Sequence, residues 1–194
     1  MPPRCFLAVP LPPQARGLLA RVRADFVAAA PQWAGEKWVP AANLHVTIAF
    51  LGALDDLALP AYVSEMRERA ALRPAFTMRL AGVEPVPSLA RATMLWVTLD
   101  DPESGFPALR LALAGDADTR TLRPHITLAR ARAPKAVDAA ALGSAASTVA
   151  GAGKEPDGIV SVTSVTLFSS TLRASGPEYR EIAVARFRDA SGTD

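Results

Sequence analysis

Cysteine is nearly missing from this sequence. A single one, Cys5, stands among 194 residues, which excludes an internal disulfide framework and casts it as a small apolar residue of a first strand rather than a nucleophile. Long apolar runs are missing as well: half of the residues are hydrophobic, but never for the roughly 18 or more in a row that a membrane span requires. The opening Met1-Pro2-Pro3-Arg4 leads into a strand-like run with no cleavable signal pattern, so a soluble, cytoplasmic protein with no membrane partner is expected. There is no Lys/Arg-rich run either. The net charge is +2 and the arginines are dispersed, whereas binding a long duplex through many phosphates normally shows as a clustered basic stripe. A small or terminal phosphate suits this charge better. Gly-x-Ser-x-Gly, Gly-x-x-x-x-Gly-Lys-Ser/Thr and Gly-x-Gly-x-x-Gly are all absent, which argues against a serine hydrolase of the nucleophile-elbow type and against the common nucleotide-phosphate loops.

Histidine is scarce, and its placement is the strongest signal in the chain. The only two lie in Asn43-Leu44-His45-Val46-Thr47-Ile48-Ala49-Phe50-Leu51-Gly52 and in Arg123-Pro124-His125-Ile126-Thr127-Leu128-Ala129-Arg130. Both stretches read His-x-Thr-x with apolar x and alternate as strands do, with Leu44, Val46, Ile48 and Phe50 on one face of the first and Ile126 and Leu128 on one face of the second. Side chains two apart on a strand share a face, so each strand presents an imidazole beside a hydroxyl, His45 with Thr47 and His125 with Thr127.

The remaining elements follow in order. Phe6 to Pro10 reads as a strand, and Pro12 or Pro13 is placed to open a helix carrying Leu18, Leu19, Val22 and Phe26 and ending near Ala30. Gly35 to Ala42 reads as a loop; Trp33 before it and Trp38 within it either cover the core edge or stack a base. Asp55-Asp56 suit the start of a helix whose apolar face is Leu59, Tyr62, Val63, Met66 and Ala70. A strand from Phe76 to Val83 and a turn at Pro85-Val86-Pro87-Ser88 close the first series. A strand at Thr93 to Leu99, a helix at Glu103 to Ala114, a polar connection through Asp116, Asp118 and Arg120, the second His-x-Thr strand and a helix from Lys135 to Val149 begin a second. After a loop from Gly151 to Gly158, strands at Ile159 to Leu172, broken once, and Tyr179 to Arg188 end the chain before a polar tail, Ala190 to Asp194. The element order therefore repeats, over about residues 5–83 and 93–188. Two copies at this period favour a pseudo-twofold pair of lobes over a solenoid, with both His-x-Thr pairs lining the cleft between them.

Two imidazoles can hold a metal or move protons. A zinc site needs three or four ligands, and neither motif contains an acid to complete the set, which favours the second reading. One neutral histidine can take a proton from an attacking water while a protonated one gives a proton to a departing oxygen. Two hydroxyls can stabilise charge on the non-bridging oxygens of a phosphate.

The paired motifs resemble those of the 2H phosphoesterase superfamily, and the wider match is to its bacterial RNA 2′,3′-cyclic phosphodiesterase branch, historically called 2′-5′ RNA ligase-like. Phe6-Leu7-Ala8-Val9-Pro10-Leu11-Pro12 is similar to that family's opening strand, Trp38-Val39-Pro40 with the His45 stretch to its first motif, the His125 stretch to its second, and Val165-Thr166-Leu167-Phe168-Ser169-Ser170-Thr171-Leu172 to its closing strand. Ile48, where leucine is common, is the one departure. The resemblance implies a single α+β domain over residues 1–194, made of two pseudo-twofold lobes with mostly antiparallel sheets and two helices each, whose terminal segments exchange between lobes or stay within them. It implies metal-independent hydrolysis, without cofactor, of a 2′,3′-cyclic phosphate on RNA ends or nucleotides to a 2′-phosphate, by a monomer. His45 becomes the proton donor and His125 the acceptor, with Thr47 and Thr127 on the phosphate. Arg130 matches a position where the family often has a substrate-contacting arginine; by strict alternation Arg130 faces away from His125 while Arg123 faces with it, so either the strand bends after Ala129 or Arg123 makes the contact. A 2′-5′ ligase or transferase, and an RNA-end-binding module without catalysis, are the alternative functions.

Overall fold

Local chemistry accounts for where each helix begins. In the computed structural model, which describes residues 4–115, 118, 122–152, 155–173 and 176–188, helix α1 (Pro13–Ala29) starts at a proline whose fixed φ suits a first helical position and whose missing N–H costs nothing there. It buries Leu18, Leu19, Val22 and Phe26 as their spacing requires. Before α2 (Leu59–Ala71) the Asp55 carboxylate accepts the N–H groups of Leu57 and Ala58 at 3.0 and 2.6 Å. Ahead of α3 (Gly105–Ala114), Asp101 accepts those of Gly105 and Phe106 at 3.0 and 2.9 Å. Each acid satisfies donors that have no partner in a helical turn. Helix α4 (Ala139–Ala152) begins with Asp138 accepting from Ala140 at 2.8 Å.

The strands are β1 (Arg4–Pro10), β2 (Lys37–Trp38), β3 (His45–Ala53), β4 (Phe76–Val86), β5 (Ala92–Asp100), β6 (His125–Lys135), β7 (Ile159–Val162), β8 (Ser164–Arg173) and β9 (Gly176–Arg186). Three differ from the sequence expectation. Lys135 closes β6 instead of opening α4. Strand β4 runs on through Pro85 and Val86, which is tolerated because β7 flanks only Phe76 to Arg79, leaving that end of β4 open on one side. The loop from Gly35 to Ala42 contains β2, paired to β6 at Arg130 and Ala129. Asp116, Arg120, part of the Gly151 to Gly158 loop and the tail from Ala190 lie outside the described residues.

All these pairings are antiparallel, in the order β7-β4-β5-β6-β3-β1-β8-β9, with β2 added beside β6. Among the described residues, nine strands thus make one curled sheet of half-barrel form in an α+β fold with four helices. A separate sheet for each half of the chain is not what forms. The two halves of the sheet meet edge to edge through one residue pair, Val46 opposite Ile126, where β3 touches β6. Nor do those halves follow the chain: β4 crosses to pair with β5, while β8 returns to pair with β1 and β9 adds to β8. The helices group as α1 with α4, which lies on β4, and α2 with α3, which lie on β9 and β3. One apolar core, including Phe26, Trp33, Val46, Ile48, Leu95, Ile126 and Leu167, runs beneath.

Candidate active site

The single pair joining β3 to β6 decides what lies together. Antiparallel partners share a face, so with Val46 opposite Ile126, His45 is brought opposite Thr127 and Thr47 opposite His125. Val46 and Ile126 are fully buried and fix the core side. The four polar side chains therefore form a quartet on the other face, around the seam where the two sheet halves meet.

Just past the quartet, both strands carry the same irregularity. Against β1, Thr47 lies opposite Ala8 but Ala49 lies opposite Leu7, so Ile48 is an extra residue; against β5, Thr127 lies opposite Trp96 but Ala129 opposite Leu95, so Leu128 is extra. Such a bulge adds one residue and resets the alternation by one. Ile48 and Ala49 are both buried, as are Leu128 and Ala129, and the next residue of each strand turns to the polar face. Phe50 is consequently 42% exposed, which corrects its assignment to the apolar face with Leu44, Val46 and Ile48. Arg130 moves the same way and joins the face of His125. Its guanidinium lies 3.0 Å from the Met94 sulfur and is close enough to depress the basicity of both imidazoles. Arg123, by contrast, holds the Glu84 carboxylate through both oxygens at 3.1 Å, with 63% of its side chain exposed.

Both imidazoles are oriented by their own strands. His45 Nδ1 lies 2.7 Å from the Asn43 carbonyl and His125 Nδ1 2.8 Å from that of Arg123. A carbonyl only accepts, so Nδ1 bears the proton in each, and Nε2 is the atom left to exchange one. His45 Nε2 stands 3.1 Å from Thr47 Oγ1. Burial pushes His45 below the ordinary histidine range; the Asn43 bond opposes this, and the charges of His125 and Arg130 add to it. His125 is lowered by burial too, opposed by its bond to Arg123 and reinforced by Arg123 and Arg130.

The surroundings of the two histidines differ. His45 sits among aromatic rings: Phe6 at 5.2 Å and Tyr179, edge on, at 5.5 Å, with Phe168 and Phe50 in turn 5.4 and 6.2 Å from Phe6. A pocket of about 70 Å³ lies beside it, lined in part by Asn43, Phe168 and Tyr179. His125 instead stacks on Trp96, with centroids 3.8 Å apart and planes 20° from parallel. The tryptophan beside a histidine is thus neither of the two singled out from the sequence. Trp33 is fully buried, and Trp38 gives its indole N–H to the Trp33 carbonyl at 2.9 Å. Alternation in Thr93 to Leu99 could have flagged Trp96 as facing away from Leu95, Val97 and Leu99, but not toward His125. Tyr179 and Phe168 reach His45 only through the pairing of β8 with β1 and β9.

Two imidazoles whose Nε2 atoms can take up and release a proton, two hydroxyls and one guanidinium share a face, an arrangement chemically able to perform acid–base work on an anionic group. Among the described residues, no three His, Cys, Asp or Glu side chains gather as a metal-ion site would need, and no helix is long and apolar enough to cross a membrane.

A family described as LigT like Phosphoesterase matches residues 9–96. The chain is 28% identical over 188 residues to an RNA 2′,3′-cyclic phosphodiesterase of Geobacillus stearothermophilus, covering 92% of this chain but only 55% of that protein, so it spans about half of that relative's length. It is 33% identical over 146 residues to the protein of the same description from Thermus thermophilus, covering 68% of this chain and 70% of the relative. In fold it matches E. coli LigT, with a TM-score of 0.74 at 24% identity over 96% of this chain and 98% of that one; that protein has also been solved with phosphate and with 3′-AMP.

Proposed function

The chain belongs to the LigT-like 2H phosphoesterases, and on that premise we propose that it hydrolyses 2′,3′-cyclic phosphates on RNA ends or nucleotides to 2′-phosphomonoesters, in a cleft between two lobes whose boundary is the seam of β3 and β6. The observation that carries this reading is the register at Val46 and Ile126, which gathers two imidazoles and two hydroxyls on one face.

Water attacks phosphorus in line with the 3′-oxygen. His125 Nε2 takes the proton of the water as the new P–O bond forms, and His45 Nε2 gives its proton to the 3′-oxygen as that P–O bond breaks. The product keeps its 2′-phosphate, and the two histidines end with their protonation states exchanged. Thr47, Thr127 and Arg130 hold the non-bridging oxygens. Burial disfavours the imidazolium that His45 must present, and the arriving phosphodiester anion offsets this, so protonation of the donor is coupled to binding of substrate. The leaving ribose stands on the His45 side, where Phe50, Phe168 and Tyr179 offer ring faces or edges to its base. The 3′-AMP complex of E. coli LigT supports a nucleotide of this size as ligand.

Incubation with nucleoside 2′,3′-cyclic phosphates and with RNA ending in one, in excess chelator, should yield the 2′-phosphate alone. No turnover, turnover only with added metal, or the 3′-phosphate as product would overturn the proposal.

A further inference from the structure

The bulges in β3 and β6 have the same shape but different supports. At β6, the Leu128 carbonyl accepts the Val39 N–H at 2.8 Å, and β2 runs alongside with Lys37 opposite Arg130. Backbone braces backbone there. At β3 the equivalent supports are two charged side chains that no sequence motif marks. Arg110, on the α3 face that packs on β3, donates to the Ile48 carbonyl and, at 3.3 Å, to the Asp118 carbonyl. Asp118 accepts the Phe50 N–H at 2.9 Å, and its carboxylate lies 3.6 Å from the Arg110 guanidinium. Only 12% and 1% of these side chains is exposed.

Two buried charges are costly in themselves, and an apolar pair of equal volume often serves stability as well or better. What an apolar pair lacks is a donor for the Ile48 carbonyl and an acceptor for the Phe50 N–H. Those two groups bracket Ala49, the residue at which alternation is reset. If the bulge were released, Phe50 would return to the apolar face and Ala49 to the polar one, and the register of Thr47 and His45 against β1 would slip with them.

We infer that Arg110 and Asp118 are positioning residues that clamp the β3 bulge and so set His45, Thr47 and Phe50 in the cleft, doing with a side-chain ion pair what β2 does for the other half of the site. They touch no reacting atom. The inference rests on the proposed activity only for its kinetic readout.

The chain's having only two histidines makes the test selective. In ¹H–¹⁵N spectra of the substrate-free imidazoles, assigned with His45→Gln, Asp118→Ala should shift the His45 ring signals and leave those of His125 in place, with Asp118→Asn, which retains an oxygen acceptor, giving a smaller shift. A comparably destabilising change far from the bulge, Val149→Ala in α4, should lower Tm without moving either set. For Asp118→Ala, kcat/KM on a cyclic nucleotide should fall by about 10²-fold, the cost of misplacing a catalytic group by about 1 Å, and Asp118→Asn should recover most of it. Unmoved His45 signals, equal movement of both histidines, or the same movement in Val149→Ala would each overturn the inference. If the wild-type protein opens no cyclic phosphate yet His45 alone shifts, the proposed activity falls and the clamp stands.

Discussion

Arg130 and Arg123 flank the same histidine, and exchanging each for glutamine tests the proposal that the Arg130 guanidinium meets the phosphate while that of Arg123 is held by Glu84. Arg130 reaches the cleft face only because Leu128 is an extra residue in β6, and its charge is felt at His45, His125 and Tyr179. A hydrogen bond from a charged group to a phosphate oxygen contributes about 1.5–3 kcal/mol. At about 1.4 kcal/mol per tenfold, Arg130→Gln should lower kcat/KM on a nucleoside 2′,3′-cyclic phosphate by about 10- to 150-fold. Arg123 is largely exposed and already holds Glu84; an exposed pair contributes about 0–1 kcal/mol, so Arg123→Gln should cost less than about fivefold. The pH profile gives a second readout. A neighbouring cation disfavours the imidazolium, so its removal raises the affected pKa toward the ordinary value. Arg130→Gln should shift both limbs upward, and Arg123→Gln only the one belonging to His125. Steady-state kinetics from pH 5 to 9 measure all of this. A large loss in Arg123→Gln with a near-normal Arg130→Gln would refute the reasoning and make the bulge irrelevant to phosphate binding.

The proton roles separate by leaving group: a nitrophenolate departs unaided and a ribose oxygen does not, so on a nitrophenyl phosphodiester His45→Ala should lose far less activity than on a cyclic nucleotide, while His125→Ala loses about 10²–10⁴-fold on both. Rescue in His125→Ala instead would reverse the donor and acceptor. Thr47→Val and Thr127→Val keep the β-branched shape that suits a strand and remove the hydroxyl, so turnover should fall about 10-fold or more with Tm little changed; wild-type rates in both would reduce the threonines to strand formers. Both histidines have folded-state pKa values below the unfolded value near 6.5, so the unfolded chain takes up protons first as pH falls through that value. Stability should therefore decline with falling pH below about 6.5, and a His45→Gln, His125→Gln double variant should show a shallower decline in urea titrations at pH 7 and pH 5; an unchanged slope would contradict the burial argument.

Composition, spacing and alternation in the sequence alone determined a good deal here. They placed the four helices to within a few residues, and they paired His45 with Thr47 and His125 with Thr127. These properties are local: a strand's side chains alternate and a helix's apolar face recurs whatever lies across from them. The order of the strands was not local. Nothing between residues 76 and 86 states that β4 crosses to β5, or that β8 returns to β1 carrying Phe168 beside His45. The bulges were hidden for the same reason. Strict alternation put Phe50 in the core and Arg130 behind its strand, and both are reversed by one extra residue held by partners distant in sequence: Val39 and β2 for Leu128, Arg110 and Asp118 for Ile48 and Phe50. Residue identity set which groups could do chemistry. Only the tertiary pairing decided which of them share a face, because a shift of one residue in a period of two moves a side chain to the opposite side of the sheet.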